Sequence, residues 1–209
     1  MMTELSMYHI AFRTQRLQVA SLNRHQAGLH QEIMAMFTAR VSRYLPPASQ
    51  QLRSPLEVDS WLDSMMQTGM LLRLTEQVDG DSTVNGSENR SAIGYLFVFP
   101  EQEHGKRGYR VGYVLDEAQW GKGLATEAMQ GLLHYLSDAC LPDAECSERD
   151  VATPHLAPEV SRATYFIAGI EPANVASLNV LTKLGFEFDE TRQSVDYYRL
   201  AATAIAAAH

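Results

Sequence analysis

The sequence lacks most of the features that mark secreted, metal-binding or membrane proteins. It has only two cysteines, Cys140 and Cys146, with no Cys-x-x-Cys or Cys/His spacing around them. Neither a disulfide framework nor a zinc site is therefore indicated. No stretch approaches about eighteen consecutive apolar residues, and the first residues lack the basic segment and apolar run of a signal peptide. We expect a cytoplasmic protein that holds no metal and enters no membrane.

Positive charge is also in short supply. The chain has 17 basic residues against 25 acidic ones, which gives a formal net charge of -8. This balance disfavours nucleic acid or an anionic membrane as the main partner, and it suits a cationic substrate. With 209 residues, of which 45% are apolar, the chain is long enough to bury one core, and we predict a single domain over 1–209.

The hydrophobic pattern predicts alternating strands and helices. Strands are expected over 17–22, 70–78, 91–99, 109–115 and 163–170, with a final pair after 185. Helices are expected over 26–39, from Pro55, from the glycine-rich stretch to about Asp138, and over 177–184 up to a glycine C-cap. Residues 141–163 contain three prolines and no periodicity, which predicts an exposed loop, and the Ala-rich tail 201–209 is either helical or frayed.

Two glycines flank a lysine just before a predicted helix, in Trp120-Gly121-Lys122-Gly123-Leu124-Ala125. The first N–H groups of a helix have no internal acceptors and lie at the positive end of its dipole, so this stretch could bind a diphosphate. Alternatively, the glycines only turn a tight corner between strand and helix. A Walker loop is excluded because Gly123 follows Lys122, and Thr126 stands where a dinucleotide fingerprint needs glycine.

These residues resemble the GCN5-related N-acetyltransferase (GNAT) family, and in particular its branch of ribosomal-protein alanine and serine N-terminal acetyltransferases of the RimJ/RimL type. The glycine stretch is similar to the family's Gln/Arg-x-x-Gly-x-Gly/Ala motif, although Trp120 replaces the usual first residue. A second block runs from Asn174-x-x-Ser177 to Gly185-Phe186. The resemblance implies an α/β (α+β) fold, with a mixed, mostly antiparallel sheet of six to seven strands, about four flanking helices and splayed central strands. It makes 141–163 an insertion.

The resemblance also implies acetyl-CoA as co-substrate. It assigns the pantetheine arm to the gap beside the strand that ends at Leu115, and the diphosphate to the glycine stretch. The residues expected to bind the cofactor are Tyr113, Val114, Leu115, Trp120, Gly121, Lys122, Gly123, Leu124, Ala125, Thr126, Asn174 and Ser177. Tyr113 is otherwise a core aromatic, as is Tyr198, and Asn174 otherwise forms a turn.

The catalytic groups are less evident. By resemblance, Ser177 is placed to protonate the departing thiolate, although serine is also a good helix cap. Arg110 stands where many relatives carry a glutamate, which favours deprotonation of the acceptor through water. Glu171 at a strand end and His104 are the other candidate bases, while Glu127 in the first turn of a helix complements the dipole.

The resemblance favours transfer of an acetyl group to the N-terminal α-amine of a ribosomal protein. An α-amine with a pKa of about 8 is roughly a tenth neutral at pH 7, whereas a lysine amine near 10.4 is below about one part in a thousand, so an α-amine needs only a weak base. An acetyltransferase for a small cationic amine (a polyamine, an aminoglycoside or an amino acid) is the first alternative. A non-catalytic acyl-CoA sensor is the second. The chain could act as a monomer or a homodimer.

Overall fold

The computed structural model describes residues 10–50, 52–77, 90–138 and 163–206. Eight strands in these ranges form one sheet: β1 (Ala11–Arg13), β2 (Leu17–Ser21), β3 (Met70–Glu76), β4 (Gly94–Glu103), β5 (Lys106–Leu115), β6 (Tyr165–Ile170), β7 (Glu187–Arg192) and β8 (Val195–Ala201). Five α-helices accompany them: α1 (Leu29–Met36), α2 (Pro55–Thr68), α3 (Leu124–Asp138), α4 (Val175–Lys183) and α5 (Ala202–Ala206). Both cysteines and residues 141–162 of the predicted loop lie outside the described residues.

The strand order is β1-β2-β3-β4-β5-β6-β8-β7, and every neighbouring pair is antiparallel except β5 and β6. A parallel pair needs a crossover connection, and α3 lies within the one that joins β5 to β6. The expected mixed, mostly antiparallel sheet is therefore confirmed.

Helices cover both faces of the sheet, so the protein has two apolar layers. On one face α1 and α2 pack on β3, β4 and β5, with Ile33, Trp61 and Leu62 against Tyr95 and Phe97. On the other face α3, α4 and α5 pack on the same sheet. Local residues determine where α2 begins, because the Ser54 hydroxyl accepts the Glu57 N–H and Pro55 occupies the first turn.

The sequence predictions for the sheet were right in order but wrong in extent. Six to seven strands were expected and eight are present, since β1 has only three residues and no apolar alternation to reveal it. Residues 100–108, which lie between two of the predicted strands, belong largely to β4 and β5, which continue to a two-residue turn. His104 and Gly105 form that turn with φ of 50° and 75°, and such a turn suits the twist of a hairpin.

One partly buried carboxylate ties α1 to the sheet. Glu32 accepts hydrogen bonds from Arg73 Nε at 2.9 Å, the Tyr95 hydroxyl at 2.6 Å and the Ala92 N–H at 2.9 Å, and it forms an ion pair with Arg73. Arg73 also donates to the Arg90 carbonyl. Burial raises the pKa of Glu32, but these hydrogen bonds outweigh it and hold the pKa below its usual value. The ionised carboxylate is therefore the form that the fold requires.

We expect Glu32→Gln to lower the free energy of unfolding by about 3 kcal/mol at neutral pH, because the buried Arg73 would lose its ion pair with Glu32. Urea unfolding followed by circular dichroism measures the change. As a control, Glu190→Gln cuts an ion pair with Arg192 on the exposed β7 and should leave the midpoint almost unchanged. Equal stability of Glu32→Gln and the parent protein would contradict the assigned role.

The same carboxylate gives a pH dependence of known sign. Because the folded pKa lies below the ordinary value of 4.5, the ionised form stabilises the fold at higher pH, and this stabilisation is lost as the pH falls through the folded pKa. We expect the difference in unfolding free energy between the parent and Glu32→Gln to be constant from about pH 6 to 8 and to shrink below about pH 4.5. A difference that grows on acidification would show that Glu32 is protonated in the native state.

Candidate active site

A wedge opens between the two parallel strands in the middle of the sheet. β5 and β6 pair only at Gly108 with Tyr165, Tyr109 with Phe166 and Arg110 with Ile167. Beyond that point β5 continues to Leu115 and β6 to Ile170 without pairing to each other. The expected splay of the central strands is confirmed, and it leaves backbone of β5 without a strand partner on one side.

A cavity of about 370 Å³ lies at this wedge. Its wall combines the end of β5, the turn before α3 with the first residues of that helix, residues of α4 as far as Lys183, and the segment after α1. Among the residues that line it are eleven of those expected to bind the cofactor: Tyr113, Val114, Leu115, Trp120, Gly121, Gly123, Leu124, Ala125, Thr126, Asn174 and Ser177. Two sequence blocks about fifty residues apart thus meet in one cavity.

The glycine stretch forms the turn that leads into α3. Gly121 and Gly123 have φ of 74° and 77°, in the left-handed region that glycine adopts without strain. The helix begins at Leu124, so the first N–H groups have no acceptor within the helix and lie at its positive end. The glycines therefore turn a tight corner, and this corner presents backbone donors beside the cavity.

Lys122 and Trp120 behave differently from their neighbours. The Lys122 amine donates to Gln119 Oε1 at 2.9 Å, and Lys122 is absent from the cavity lining. The Trp120 indole N–H donates to the Leu115 carbonyl at 3.0 Å. One of the backbone groups expected to bind the cofactor arm therefore already has a partner within the chain, supplied by the residue that departs from the family motif.

The start of α4 brings two hydroxyl groups together. The Asn174 side chain accepts the Ser177 N–H at 3.2 Å and is the N-cap of the helix, so the expectation that Ser177 caps the helix was wrong. Ser177 is instead the third helical residue, and its Oγ lies 3.2 Å from the Tyr113 hydroxyl. Burial raises the pKa of Tyr113, although its bond to Ser177 acts in the opposite direction. Both hydroxyls therefore stay protonated at neutral pH.

The structure does not bring the candidate bases into the cavity. Glu171 is exposed after β6, and its backbone carbonyl accepts the Asn174 N–H at 2.8 Å, so it pins the turn before α4. His104 lies at the tip of the β4–β5 turn, roughly 20 Å along the strand from Tyr113. Arg110 makes an ion pair with Glu101 at 3.2 Å and lies over the Phe99 ring.

Four lining residues come from a segment that sequence reasoning did not connect to the site: Arg40, Val41, Tyr44 and Leu45. They follow α1 and carry no motif, so only the packing of α1 and α2 on the sheet reveals them. The Arg40 guanidinium lies 5.4 Å from the centre of the Trp120 ring and pairs with Glu117. This contact joins the segment after α1 to the turn before α3 across the mouth of the cavity.

The charge of the cavity wall differs from that of the whole chain. Arg40 and Lys183 are the charged side chains that line it among the described residues, and no carboxylate or imidazole lines it there. Metal ligands are likewise not grouped, since the described ranges contain no cluster of three His, Cys, Asp or Glu side chains. In those same ranges no helix has the length and apolarity needed to cross a bilayer.

Comparison with known proteins agrees with this geometry. The family model of the acetyltransferase (GNAT) domain matches residues 16–187, whereas no match was found among curated proteins.

Solved structures share the fold at low sequence identity. RimL, the ribosomal L7/L12 alpha-N-protein acetyltransferase in complex with coenzyme A, is 16% identical with a TM-score of 0.63, over 92% of this chain and 98% of that one. The ribosomal-protein-S5-alanine acetyltransferase from Vibrio fischeri is 14% identical with a TM-score of 0.60, over 92% and 97%. An aminoglycoside N(6')acetyltransferase from Legionella pneumophila is 12% identical with a TM-score of 0.61, over 93% and 96%.

At these identities the neighbours establish a common fold and leave the acceptor open. The family match is stronger evidence, because it spans most of the chain and includes both the glycine turn and the start of α4. The chain therefore belongs to the GNAT acetyltransferase family and is an acetyl-CoA-dependent acyltransferase.

Proposed function

We propose that the cavity holds acetyl-CoA with its diphosphate on the first turn of α3 and its pantetheine arm along the unpaired end of β5. Two features support this arrangement. The glycine turn offers helix N–H groups at a positive dipole end, which is where a diphosphate binds best. The end of β5 offers backbone donors and acceptors that an amide-containing arm can pair with in the manner of a strand. Asn174 caps α4 through its side-chain oxygen, which leaves its NH2 group to donate to the arm.

The second helix end in the cavity suits the departing thiolate. In the reaction, the acceptor nitrogen forms a bond to the acetyl carbonyl carbon, the carbon–sulfur bond breaks, and the sulfur needs a proton. Ser177 lies in the first turn of α4 with its hydroxyl against that of Tyr113, so the pair can supply the proton where the helix dipole also stabilises the anion. The proton of the acceptor amine leaves through water, because no base lines the cavity among the described residues.

We propose the N-terminal α-amine of a protein, with a ribosomal protein as the leading candidate, as the acceptor. The observation that carries this choice is the cavity lining, which holds Arg40 and Lys183 but no carboxylate among the residues described. A polyamine or an aminoglycoside carries several positive charges and would find no anion in this wall to pair with. Two structural neighbours, RimL and the ribosomal-protein-S5-alanine acetyltransferase, have names that state such an acceptor.

No base lines the cavity among the described residues, and this also favours an α-amine as the acceptor. A lysine-type amine with a pKa near 10.4 must lose a tightly held proton before it can attack, whereas an α-amine near 8 is roughly a tenth neutral at pH 7. Water can accept this less tightly held proton without a dedicated base. A cavity whose described lining contains no base is therefore suited to α-amines.

Thiol release from acetyl-CoA tests the acceptor against a panel of amines. We expect turnover with peptides that begin with Ala or Ser, and none with spermidine or an aminoglycoside. The matched control is the same peptide with its N-terminus already acetylated, which keeps every lysine but removes the α-amine. Turnover on the blocked peptide or on the small amines would overturn the proposed acceptor. Mass spectrometry of the product locates the acetyl group.

The pH profile of the same reaction tests whether the enzyme uses a base of its own. If the free α-amine is the only group that must lose a proton, kcat/KM should rise with pH and level off with an apparent pKa of about 8. Replacing the peptide by one whose α-amine has a lower pKa should move the profile by the same amount. A profile that is the same for both peptides and levels off near pH 6 would reveal an enzymic base.

Ser177→Ala should slow turnover more than it weakens binding. Loss of a positioned acid typically costs about 100-fold or more in rate, so we expect kcat to fall by at least tenfold while the dissociation constant for acetyl-CoA changes by less than threefold. The control is Ser64→Ala on the exposed face of α2, which should behave as the parent. An unchanged kcat would show that Ser177 has no role in proton transfer.

Gly123→Ala tests the diphosphate placement. An added Cβ would meet no atom closer than Arg16 Nη2 at 3.7 Å, so its cost comes from the φ of 77°, which is worth about 1–2 kcal/mol for a residue other than glycine. The matched control is Gly105→Ala, with φ of 75° in the remote β4–β5 turn. We expect both variants to lose similar stability and only Gly123→Ala to bind acetyl-CoA at least tenfold more weakly. If Gly123→Ala and Gly105→Ala bind acetyl-CoA with equal affinity, the proposed diphosphate placement is wrong.

A further inference from the structure

Arg16 contacts the glycine turn from behind, without lining the cavity. It lies in the short turn between β1 and β2, and it reaches the start of α3, more than a hundred residues away in sequence. Its Nη1 donates to the Lys122 carbonyl at 2.9 Å, and its Nε donates to Glu127 Oε2 at 2.6 Å. One guanidinium thus holds both the turn before α3 and the first turn of the helix itself.

The bond to Lys122 fixes the direction of the next N–H group. In a trans peptide the carbonyl and the following N–H point in opposite directions. Because the Lys122 carbonyl faces Arg16, the Gly123 N–H must face away from it. Gly123 lines the cavity and Arg16 does not. Arg16 therefore sets the orientation of a backbone donor in the part of the turn where we place the diphosphate.

Arg16 has a second effect, on the charge of Glu127. Burial raises the pKa of Glu127, but hydrogen bonds from the Thr14 hydroxyl and from the Arg16 backbone and guanidinium outweigh it, so the pKa lies below its usual value. The side chain is only 16% exposed and stays ionised at neutral pH. A bare carboxylate adjacent to Thr126 would repel an incoming diphosphate. The Arg16 cation compensates that charge.

We propose that Arg16 is a positioning residue for the acetyl donor. It orients the glycine turn through Lys122 and neutralises Glu127, and it touches neither the cofactor nor the reacting atoms. This inference rests on the proposed placement of the diphosphate. Its effect is confined to the nucleotide half of acetyl-CoA, because Arg16 has no bond to Ser177, Tyr113 or any other group at the thioester end among the described residues.

A donor that lacks the diphosphate separates this role from general damage. We compare acetyl-CoA with acetyl-pantetheine, which keeps the thioester and the arm. For Arg16→Ala we expect the KM for acetyl-CoA to rise at least tenfold, kcat at saturating donor to stay within twofold, and kcat/KM for acetyl-pantetheine to stay within twofold of the parent. Arg16→Lys, which keeps the charge but cannot contact Glu127 and Lys122 through two nitrogens, should lie between Ala and the parent.

Controls keep the outcomes distinct. Arg24→Ala removes another partly exposed arginine that pairs with Asp63 on α2, far from the glycine turn in the fold, and it should leave both donors unaffected. Arg16 is 48% exposed, and a thermal melt establishes that each variant is folded; if Arg16→Ala is not, Arg16→Lys carries the test. The inference is wrong if Arg16→Ala leaves the KM for acetyl-CoA unchanged. It is also wrong if Arg16→Ala lowers kcat/KM equally for acetyl-CoA and acetyl-pantetheine. A parent protein that uses both donors equally well would instead overturn the diphosphate placement.

Discussion

The structure depends on the point where β5 and β6 stop pairing. Two parallel strands that diverge after three residue pairs leave backbone of β5 without a strand neighbour, and such groups need partners. The fold uses this gap rather than closing it. The two helices that flank the gap both begin there, because α3 is the next α-helix after β5 and α4 is the next after β6. Geometry alone thus brings two positive helix ends to one cavity.

Support for this cavity comes from distant parts of the chain. On one side, Arg16 in the β1–β2 connection holds the turn before α3 through Lys122 and the first turn of α3 through Glu127. On the other side, Arg40 reaches Trp120 and Glu117 from the segment after α1. The position of α1 is in turn fixed by the partly buried carboxylate of Glu32. A site assembled from local motifs is therefore held in place by ion pairs that no local motif contains.

This division explains what the sequence could predict. The glycine turn was found because its residue types follow from a local backbone need, namely left-handed φ, whereas the Asn174–Ser177 block was found through its resemblance to the GNAT family. Arg40, Tyr44 and Arg16 were missed because their roles arise from contacts between elements far apart in sequence. Residue type made Glu171 and His104 candidate bases, and only the fold shows that neither lines the cavity.

The crossover between β5 and β6 has a consequence for how the chain can vary in length. α3 begins at the cavity and runs 15 residues, so its last residue lies about 20 Å away along the helix axis. The chain returns at Ala163, just before Tyr165, which pairs with Gly108 at the end of β5 opposite to the cavity. Both junctions of residues 139–162 are thus remote from the reacting atoms. A change in chain length between Asp138 and Ala163 therefore leaves both attachment points at the end of the sheet opposite to the cavity.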